Sequence, residues 1–205
     1  MPKIDLPNGY YDLPPGKLAN LVTCLEMRAQ PARALVPFPE GLRLERVRAD
    51  ELARYRAVFR AVGSDLMWFS RLIMPDQDLA GLLSEPEVHS YFLCRAGEAI
   101  GLLELNFREM PDCELAFFGL VPQAVGAGLG RALMDEAIRQ AFARSIARFW
   151  VHTCSFDSPQ AVPFYMRSGF LPYARMIEIH DDPRLQGKLN AAASAHVPVI
   201  RGDGA

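Results

Sequence analysis

The sequence predicts an α/β fold with an N-terminal helical arm. Hydrophobic periodicity and turn signals give the order β-α-α-β-β-β between residues 42 and 121. A glycine-rich turn at residues 126–130 then leads into a further helix, strand, helix and strand that end at residue 180. The chain has 205 residues, of which 50% are hydrophobic, so it can bury a full core. Helices and strands that alternate in this way are typical of a sheet with helices packed on it.

The elements before the glycine-rich turn are defined by the spacing of their apolar residues. Residues 42–47 alternate apolar and charged side chains, which predicts a first strand. Phe59 and Val62 lie on the apolar face of a predicted helix that ends at Gly63, and a second short helix follows at residues 76–83. Three strands connected by turns are predicted at residues 91–94, 99–107 and 114–121.

The elements after the turn are two helices and two strands. Apolar residues recur at helical spacing from Leu129 onward, and residues 148–154 form a buried strand. Ser158 is a good N-cap for a second helix, which Gly169 ends as a glycine C-cap. A last strand is predicted at residues 173–180.

The first 40 residues differ from the rest in composition. A short amphipathic helix is predicted over residues 16–27, where helical spacing relates Leu18, Leu21, Val22 and Leu25. The segment that follows contains three prolines and is predicted to be an extended linker. We therefore divide the chain into an arm with its linker (1–40), an α/β domain (41–180) and a tail (181–205). The arm can reach its own core or that of a second copy, so the sequence allows a homodimer through the arm.

Charge and hydropathy exclude several classes of partner. The net charge of −2 with interspersed acids and bases gives no basic stripe, which argues against nucleic acid. No run of 18 apolar residues exists, which argues against a membrane, and the N-terminus lacks an apolar signal core. We therefore expect a cytoplasmic protein. No metal is expected, because the histidines are isolated and no metal pattern relates Cys24, Cys94, Cys113 and Cys154.

The glycine-rich turn has the composition of an anion site. Gly126, Gly128 and Gly130 allow a tight backbone turn at the start of a helix, where unpaired N–H groups and the helix dipole favour a phosphate. The dinucleotide fingerprint fails, because Arg131 stands where its third glycine belongs. The nucleotide triphosphate loop fails as well, because no Gly-Lys-Ser/Thr follows.

The segment Val125-Gly-Ala-Gly-Leu-Gly130 resembles the pyrophosphate loop Gln/Arg-x-x-Gly-x-Gly/Ala of the GNAT N-acetyltransferases. Val125 occupies the position of the usual Gln or Arg, which removes a polar side chain and leaves the backbone donors. The resemblance implies a GNAT fold with a mixed, mostly antiparallel sheet, and acetyl-CoA as co-substrate. The residues that it implies for acetyl-CoA binding are Leu120, Val121, Val125, Gly126, Ala127, Gly128, Leu129, Gly130, Arg131 and Ser158.

A second segment, residues 158–170, resembles the GNAT pattern Asn-x-x-Ala-x-x-x-Tyr-x-x-x-Gly-Phe. Tyr165 and Gly169 are in register, and Ser158 replaces the asparagine. In the family this tyrosine protonates the departing CoA thiolate, so the resemblance implies that role for Tyr165. It also implies that the backbone N–H of Leu120 holds the thioester carbonyl. Gly119 beside it marks either a bulge that separates two strands or close packing beneath a helix.

The implied reaction is direct transfer of an acetyl group to a primary amine of a small molecule or peptide, which needs a base. Glu114 is the first candidate, and alternation places it on the same face as Phe118 and Leu120. His152 on the next strand is the second, and an ordered water is the third. An alternative function is a CoA-binding or acyl-CoA-sensing module without catalysis, suggested only by the departures at Val125 and Ser158.

The acceptor site is expected in the variable segment 64–75. Trp68, Phe69 and Arg71 belong to an apolar cluster that is crowded for an exposed connector. Arg71 could then hold a carboxylate of an amino-acid-like acceptor. The competing interpretation is that these three residues seal the core beneath the second helix.

Overall fold

The computed structural model describes residues 5–202, which form a seven-stranded sheet with helices on both faces. All neighbouring strands are antiparallel except β5 and β6, which are parallel, so the predicted mixed and mostly antiparallel sheet is confirmed. The spatial order is β2-β3-β4-β5-β6-β1-β7. The strands are β1 (Lys17–Met27), β2 (Leu42–Arg46), β3 (Val88–Arg95), β4 (Glu98–Asn106), β5 (Asp112–Leu120), β6 (Arg148–Cys154) and β7 (Leu171–Asp181).

The helices cover the sheet from two sides. Their bounds are α1 (Leu52–Gly63), α2 (Ser70–Ile73), α3 (Asp76–Ser84), α4 (Leu129–Phe142) and α5 (Ala161–Ser168). Phe59 of α1 and Leu79 of α3 pack with Phe92 and Leu102 on one face. The other face is covered by α4 and α5, which pack on a second and larger apolar cluster. Among residues 5–202, no helix has the length and apolarity needed to span a membrane.

The predicted helix over residues 16–27 is wrong, because this segment forms strand β1 in the interior of the sheet. Its spacing fits both structures, but burial alternates with period two from Lys17 to Val22. Cys24 is opposite His152 of β6, and Asn20 is opposite Glu178 of β7. The arm therefore supplies a strand to the same sheet as the domain at residues 41–180, and it does so between two of that domain's own strands.

The linker after β1 is anchored to helix α4. The Arg33 guanidinium forms two hydrogen bonds with the fully buried Asp135 carboxylate, at 2.5 and 2.8 Å, and the Val36 N–H donates a third at 2.8 Å. Burial alone would raise the pKa of Asp135, but these hydrogen bonds outweigh burial and hold its pKa below the usual range. The linker is thus fixed to the domain by charge-assisted hydrogen bonds.

The tail folds back beside the segment that precedes α2. The buried Arg184 side chain pairs with Asp182 at 2.7 Å and donates to the carbonyl of Val197 at 2.7 Å. The Ser194 hydroxyl donates to the carbonyl of Asp65 at 2.6 Å, and Leu189 of the tail belongs to the same apolar cluster as Met67. The tail therefore supports the segment in which the acceptor site is expected.

Strands β5 and β6 pair over only three residues and then separate. The last paired residues are Glu114 and Trp150, and β5 continues to Leu120 without a neighbour on that side. In the pairing of β4 with β5 the register shifts at Ala116, which is the extra residue of a bulge. The separation opens a gap in the middle of the sheet.

Gly119 marks close packing and not the bulge. A Cβ atom at this position would lie 2.4 Å from Cγ1 of Val62 in α1. The bulge at Ala116 also reverses the alternation of side chains along β5. Phe118 and Leu120 consequently pack in the same cluster as Leu115, whereas alternation leaves Glu114 on the opposite face. The predicted common face of Glu114, Phe118 and Leu120 is wrong for this reason.

Candidate active site

A cleft of about 1030 Å³ opens where β5 and β6 separate. It passes through the gap in the sheet, since residues from both helical layers contribute to its wall. On one side lie the glycine-rich turn, α4 and α5, and on the other lie α2 and the preceding segment. Of the residues predicted for acetyl-CoA binding, the cleft is lined by Leu120, Val125, Gly126, Gly128, Gly130, Arg131 and Ser158. Val121, Ala127 and Leu129 are not among its lining residues.

The glycine-rich turn has the geometry of an anion site. Gly126 and Gly128 have φ angles of +92° and +75°, and Gly128 occupies the N-cap of α4 without a side-chain cap. Within residues 5–202, the backbone N–H groups of residues 126–130 donate to no protein acceptor. A Cβ atom at Gly126 or Gly128 would meet nothing within 4 Å. A phosphate can therefore approach these donors closely.

Two arginines complete the charge around the turn. Arg131, in the first turn of α4, and Arg167, in the last turn of α5, both line the cleft. Neither forms an ion pair with any residue in the described part of the chain, whereas Arg33 nearby is paired with Asp135. Arg167 was missed by sequence reasoning, although its position two residues after Tyr165 in the second motif could have indicated it.

The backbone of Leu120 faces the gap. Val121 donates its N–H to the carbonyl of Ile100 in β4 at 3.0 Å. Donors along an antiparallel strand point alternately to its two sides, so the N–H of Leu120 points away from β4 and toward the separated β6. This direction is the one required for a donor to a thioester carbonyl in the gap.

Tyr165 lies inside the cleft on the side of the glycine-rich turn. Its side chain is 8% exposed and contacts the rings of Phe118, Phe164 and Phe170. Burial, assisted by the negative charge of Asp157, raises the pKa of Tyr165. The hydroxyl is therefore protonated at neutral pH, as a proton donor must be.

Helix α5 is positioned by its two ends. The Ser158 hydroxyl accepts a hydrogen bond from the N–H of Gln160 at 3.3 Å in the turn that precedes the helix. Gly169 ends the helix with φ of +114°, and Phe170 after it is fully buried. The predicted glycine C-cap is therefore confirmed, and the helix starts at Ala161, later than Ser158 alone predicted.

The two candidate bases are neighbours at the point where the strands separate. Nδ1 of His152 lies 3.8 Å from Oε1 of Glu114, and Nδ2 of Asn106 donates to the other carboxylate oxygen at 3.1 Å. Both side chains line the cleft, and His152 is half exposed. The arrangement can accept a proton from a molecule in the cleft on either group.

The three predicted acceptor residues all line the cleft. Trp68 packs against the end of α1, where a Cβ atom at Gly63 would lie 2.4 Å from the tryptophan Cβ. Phe69 packs on the ring of His180 at 5.3 Å between centroids. Arg71 is only 14% exposed, and its guanidinium lies over the ring of Phe117.

Two carboxylates that the sequence did not indicate hold this wall in place. Nη2 of Arg71 donates to the buried Glu104 at 2.6 Å, and Glu104 also accepts from Tyr55 at 3.0 Å. Asp157 accepts from Nε1 of Trp68 at 3.2 Å and from the Thr153 hydroxyl at 2.6 Å. These partners come from distant elements, so no local pattern could have found them.

Residues 5–202 contain no group of three or more His, Cys, Asp and Glu placed to hold a metal ion. All four cysteines are free thiols. Burial, followed by the charge of Asp157, raises the pKa of Cys154 to about 11, which makes it a poor nucleophile despite its place in the cleft.

Solved structures of low sequence identity share the fold. A GNAT-family protein from Novosphingobium aromaticivorans is 15% identical with a TM-score of 0.57, and the match covers 84% of this chain and 70% of that one. A GCN5-related N-acetyltransferase from Sphaerobacter thermophilus is 17% identical with a TM-score of 0.59, covering 80% and 52%. A protein of unknown function from Staphylococcus epidermidis is 12% identical with a TM-score of 0.56, covering 80% and 62%. The chain thus spans only about half to two thirds of the length of the last two proteins.

No curated protein matches the sequence. The family model of the acetyltransferase (GNAT) family matches residues 49–170, which include both glycine-containing motifs. This match covers more than half of the chain, and the protein belongs to the GNAT acetyltransferase family.

Proposed function

We propose that the protein is an N-acetyltransferase that moves an acetyl group from acetyl-CoA directly to a primary amine of a small molecule or peptide. The observation that carries this proposal is the single cleft through the gap between β5 and β6. The backbone N–H groups of residues 126–130 and the side chain of Tyr165 lie on one side of the cleft. Glu114 and His152 lie where the strands separate. Donor and acceptor can thus approach from opposite faces of the sheet and meet in the gap.

The residues of the chain have distinct tasks in this reaction. The N–H groups of residues 126–130 bind the pyrophosphate, with Arg131 and Arg167 adding positive charge. The N–H of Leu120 stabilises the oxyanion that develops on the thioester carbonyl. Tyr165 gives its proton to the departing thiolate, since its raised pKa keeps the hydroxyl protonated until then.

The base is Glu114, with His152 beside it as the rival and an ordered water as the third route. The incoming ammonium must lose its charge before it attacks the carbonyl, so a group at the mouth of the gap has to take up a proton. Because Nδ1 of His152 is 3.8 Å from Oε1 of Glu114, an amine in the gap can lie within reach of either group.

The acceptor is held by Trp68, Phe69 and Arg71. Arg71 uses one nitrogen for Glu104, and its Nε is buried without a hydrogen-bond partner in the described part of the chain. That donor is available for a carboxylate of an amino-acid-like acceptor. The competing interpretation is a structural role, in which the three side chains seal the core beneath the second predicted helix, which is α3.

The test is a transfer assay with acetyl-CoA and a mixed panel of amines, with free CoA thiol and acetylated amine measured separately. We expect equal release of both products with at least one amine. The alternative, an inactive CoA or acyl-CoA sensor suggested by Val125 and Ser158, predicts tight CoA binding and no product with any amine. Binding without product across small amines, amino acids and peptide N-termini would reject the enzyme.

Cytoplasmic location and a homodimer through the arm also belong to this proposal. Residues 17–27 hydrogen-bond within their own sheet on both sides, so the arm contacts of a dimer would come from residues 5–16 or from the linker. Light scattering of the intact chain and of a variant that starts at residue 14 tests the first possibility: equal dimer populations would reject the residues before 14 as the interface.

A further inference from the structure

Asn20 and Glu178 form a polar pair on the wall of the cleft, away from the gap. They are opposite each other across β1 and β7, so their side chains project from the same face of the sheet. Nδ2 of Asn20 donates to Oε2 of Glu178 at 2.9 Å, and both residues line the cleft. Neither residue has a role in the reaction proposed above.

The Asn20 side chain has an unused acceptor. Asn20 is 4% exposed, and its Oδ1 has no hydrogen-bond donor among residues 5–202. The orientation of the amide is fixed, because the opposite one would place its oxygen against the Glu178 carboxylate. A buried carbonyl oxygen without a donor is unfavourable, so this oxygen favours a ligand that brings N–H groups.

The charge around the pair is negative. Glu178 is exposed and forms no ion pair with any cation in the described part of the chain. Glu114 and Asp157 are the other acids that line this side of the cleft. Of the arginines there, Arg71 is paired with Glu104, and Nε of Arg108 lies 3.6 Å from Oε2 of Glu85. A free carboxylate oxygen beside a free amide oxygen offers acceptors only, which suits an ammonium or guanidinium group.

The distance from the gap defines what can occupy this position. His152 is opposite Cys24 of β1, and Asn20 lies four residues earlier on the same strand. At roughly 3.3 Å per residue, the pair is about 13 Å along the strand from the level of the candidate bases. An extended acceptor with its reacting amine at Glu114 can place a second cationic group near Glu178.

We propose that Asn20 and Glu178 form a specificity subsite for a second cationic group of the acceptor, so that an acceptor with this group is preferred over the same molecule without it. This inference rests on the proposed transfer to an amine. It assigns to β1, the strand contributed by the N-terminal arm, a direct part in choosing the acceptor.

The test is calorimetric titration of the protein saturated with CoA, so that binding is measured without turnover. The probes are 1,10-diaminodecane, whose extended length suits a separation of about 13 Å, and n-decylamine, which lacks only the second amine. We expect the diamine to bind about tenfold or more tightly than the monoamine, and we expect added salt to reduce the preference. Glu178→Gln, which keeps the shape of the side chain, should remove the preference.

Glu98→Gln is the matched control, because Glu98 is an exposed acid in the β3–β4 hairpin and is not among the residues that line the cleft. It should keep the preference of the wild type. Equal affinity of the wild type for both amines, no measurable binding of the diamine, or an unchanged preference in Glu178→Gln would each overturn the subsite. Acetylation of n-decylamine, measured in a separate assay, tests the proposed function alone. A failure of the subsite can therefore be distinguished from a failure of the proposed function.

Discussion

The two sides of the cleft are built in different ways. The side that faces the glycine-rich turn consists of backbone donors at residues 126–130 and of a helix that carries Tyr165, all within about 45 residues of the sequence. The acceptor side consists of side chains whose partners are far apart in the chain. Arg71 is held by Glu104, Trp68 by Asp157, and Glu178 by Asn20.

Under the proposed function, this difference reflects what each side would recognise. A pyrophosphate is the same in every reaction with CoA, so local backbone geometry is enough to bind it. An acceptor is specific to one enzyme, and its site needs side chains arranged by tertiary contacts. Substitutions on the two sides should therefore affect different kinetic constants, which the following predictions test.

Tyr165→Phe should produce the largest effect. The change keeps the ring packed against Phe118 and Phe170 and removes only the proton donor, so kcat should fall roughly 10- to 1,000-fold. Calorimetry should show unchanged CoA affinity. Tyr173→Phe, which removes an exposed hydroxyl bonded to Arg148, is the control. A kcat for Tyr165→Phe equal to that of the wild type would assign this tyrosine to the core.

Removal of the base should lower the rate by roughly 10- to 100-fold. The variants are Glu114→Gln and His152→Gln, and the measurement is the acidic limb of kcat/KM against pH. The acceptor amine must have a pKa well away from that limb. We expect Glu114→Gln to lose the limb together with the rate, and His152→Gln to keep it. Loss of the limb in His152→Gln alone would identify His152 as the base. If both variants keep the limb at near wild-type rates, an ordered water is the base.

Arg71→Ala should affect the acceptor side alone. We expect KM for a carboxylate-bearing acceptor to rise about tenfold, since a charge-assisted hydrogen bond is lost, while KM for acetyl-CoA stays constant. Arg71→Lys should restore part of the effect. An unchanged KM for every acceptor found would mean that Arg71 serves only to seal the core with Glu104.

Arg33→Ala should have the smallest effect on activity and a measurable one on stability. It leaves Asp135 buried without its guanidinium partner and should cost about 3 kcal/mol in urea unfolding at neutral pH. Because the pKa of Asp135 is lowered in the fold, the stabilisation is present above the ordinary value of 3.8 and is lost as pH falls through the lowered value. The difference between wild type and variant should therefore shrink in acid. A constant difference down to the acid transition would contradict this.

The features that the sequence predicted are local ones. The start of α4 at Leu129 and the cap at Gly169 follow from glycines in short motifs, and both are confirmed. The helix over residues 16–27 was wrong because the spacing of Leu18, Leu21 and Val22 fits a helix as well as a strand. Only pairing with β6 and β7, which lie more than 120 residues away, decides between the two.

The predicted position of Glu114 on the same face as Phe118 and Leu120 was wrong for a related reason. The bulge at Ala116 depends on the register between β4 and β5, which the order of residues in β5 does not reveal. The hydrogen-bond partners of Trp68 and Arg71 could not be predicted either, since nothing in the sequence distinguishes Glu104 from any other acid in a strand. The sequence therefore indicated the side of the cleft formed by the glycine-rich turn, but not the contacts that hold the opposite wall.

The most direct test of the account is calorimetric binding of acetyl-CoA to Gly128→Glu. The substitution forces a side chain onto a residue with φ of +75° and places a carboxylate among the donors meant for the pyrophosphate. Gly41→Glu is the matched control, because Gly41 has φ of +79°, open space around it and no place in the cleft.

We predict that Gly128→Glu, with a circular dichroism spectrum like that of the wild type, loses roughly 100-fold or more in affinity for acetyl-CoA, while Gly41→Glu keeps it. Wild-type affinity in a folded Gly128→Glu protein would contradict the claim that this turn holds the pyrophosphate.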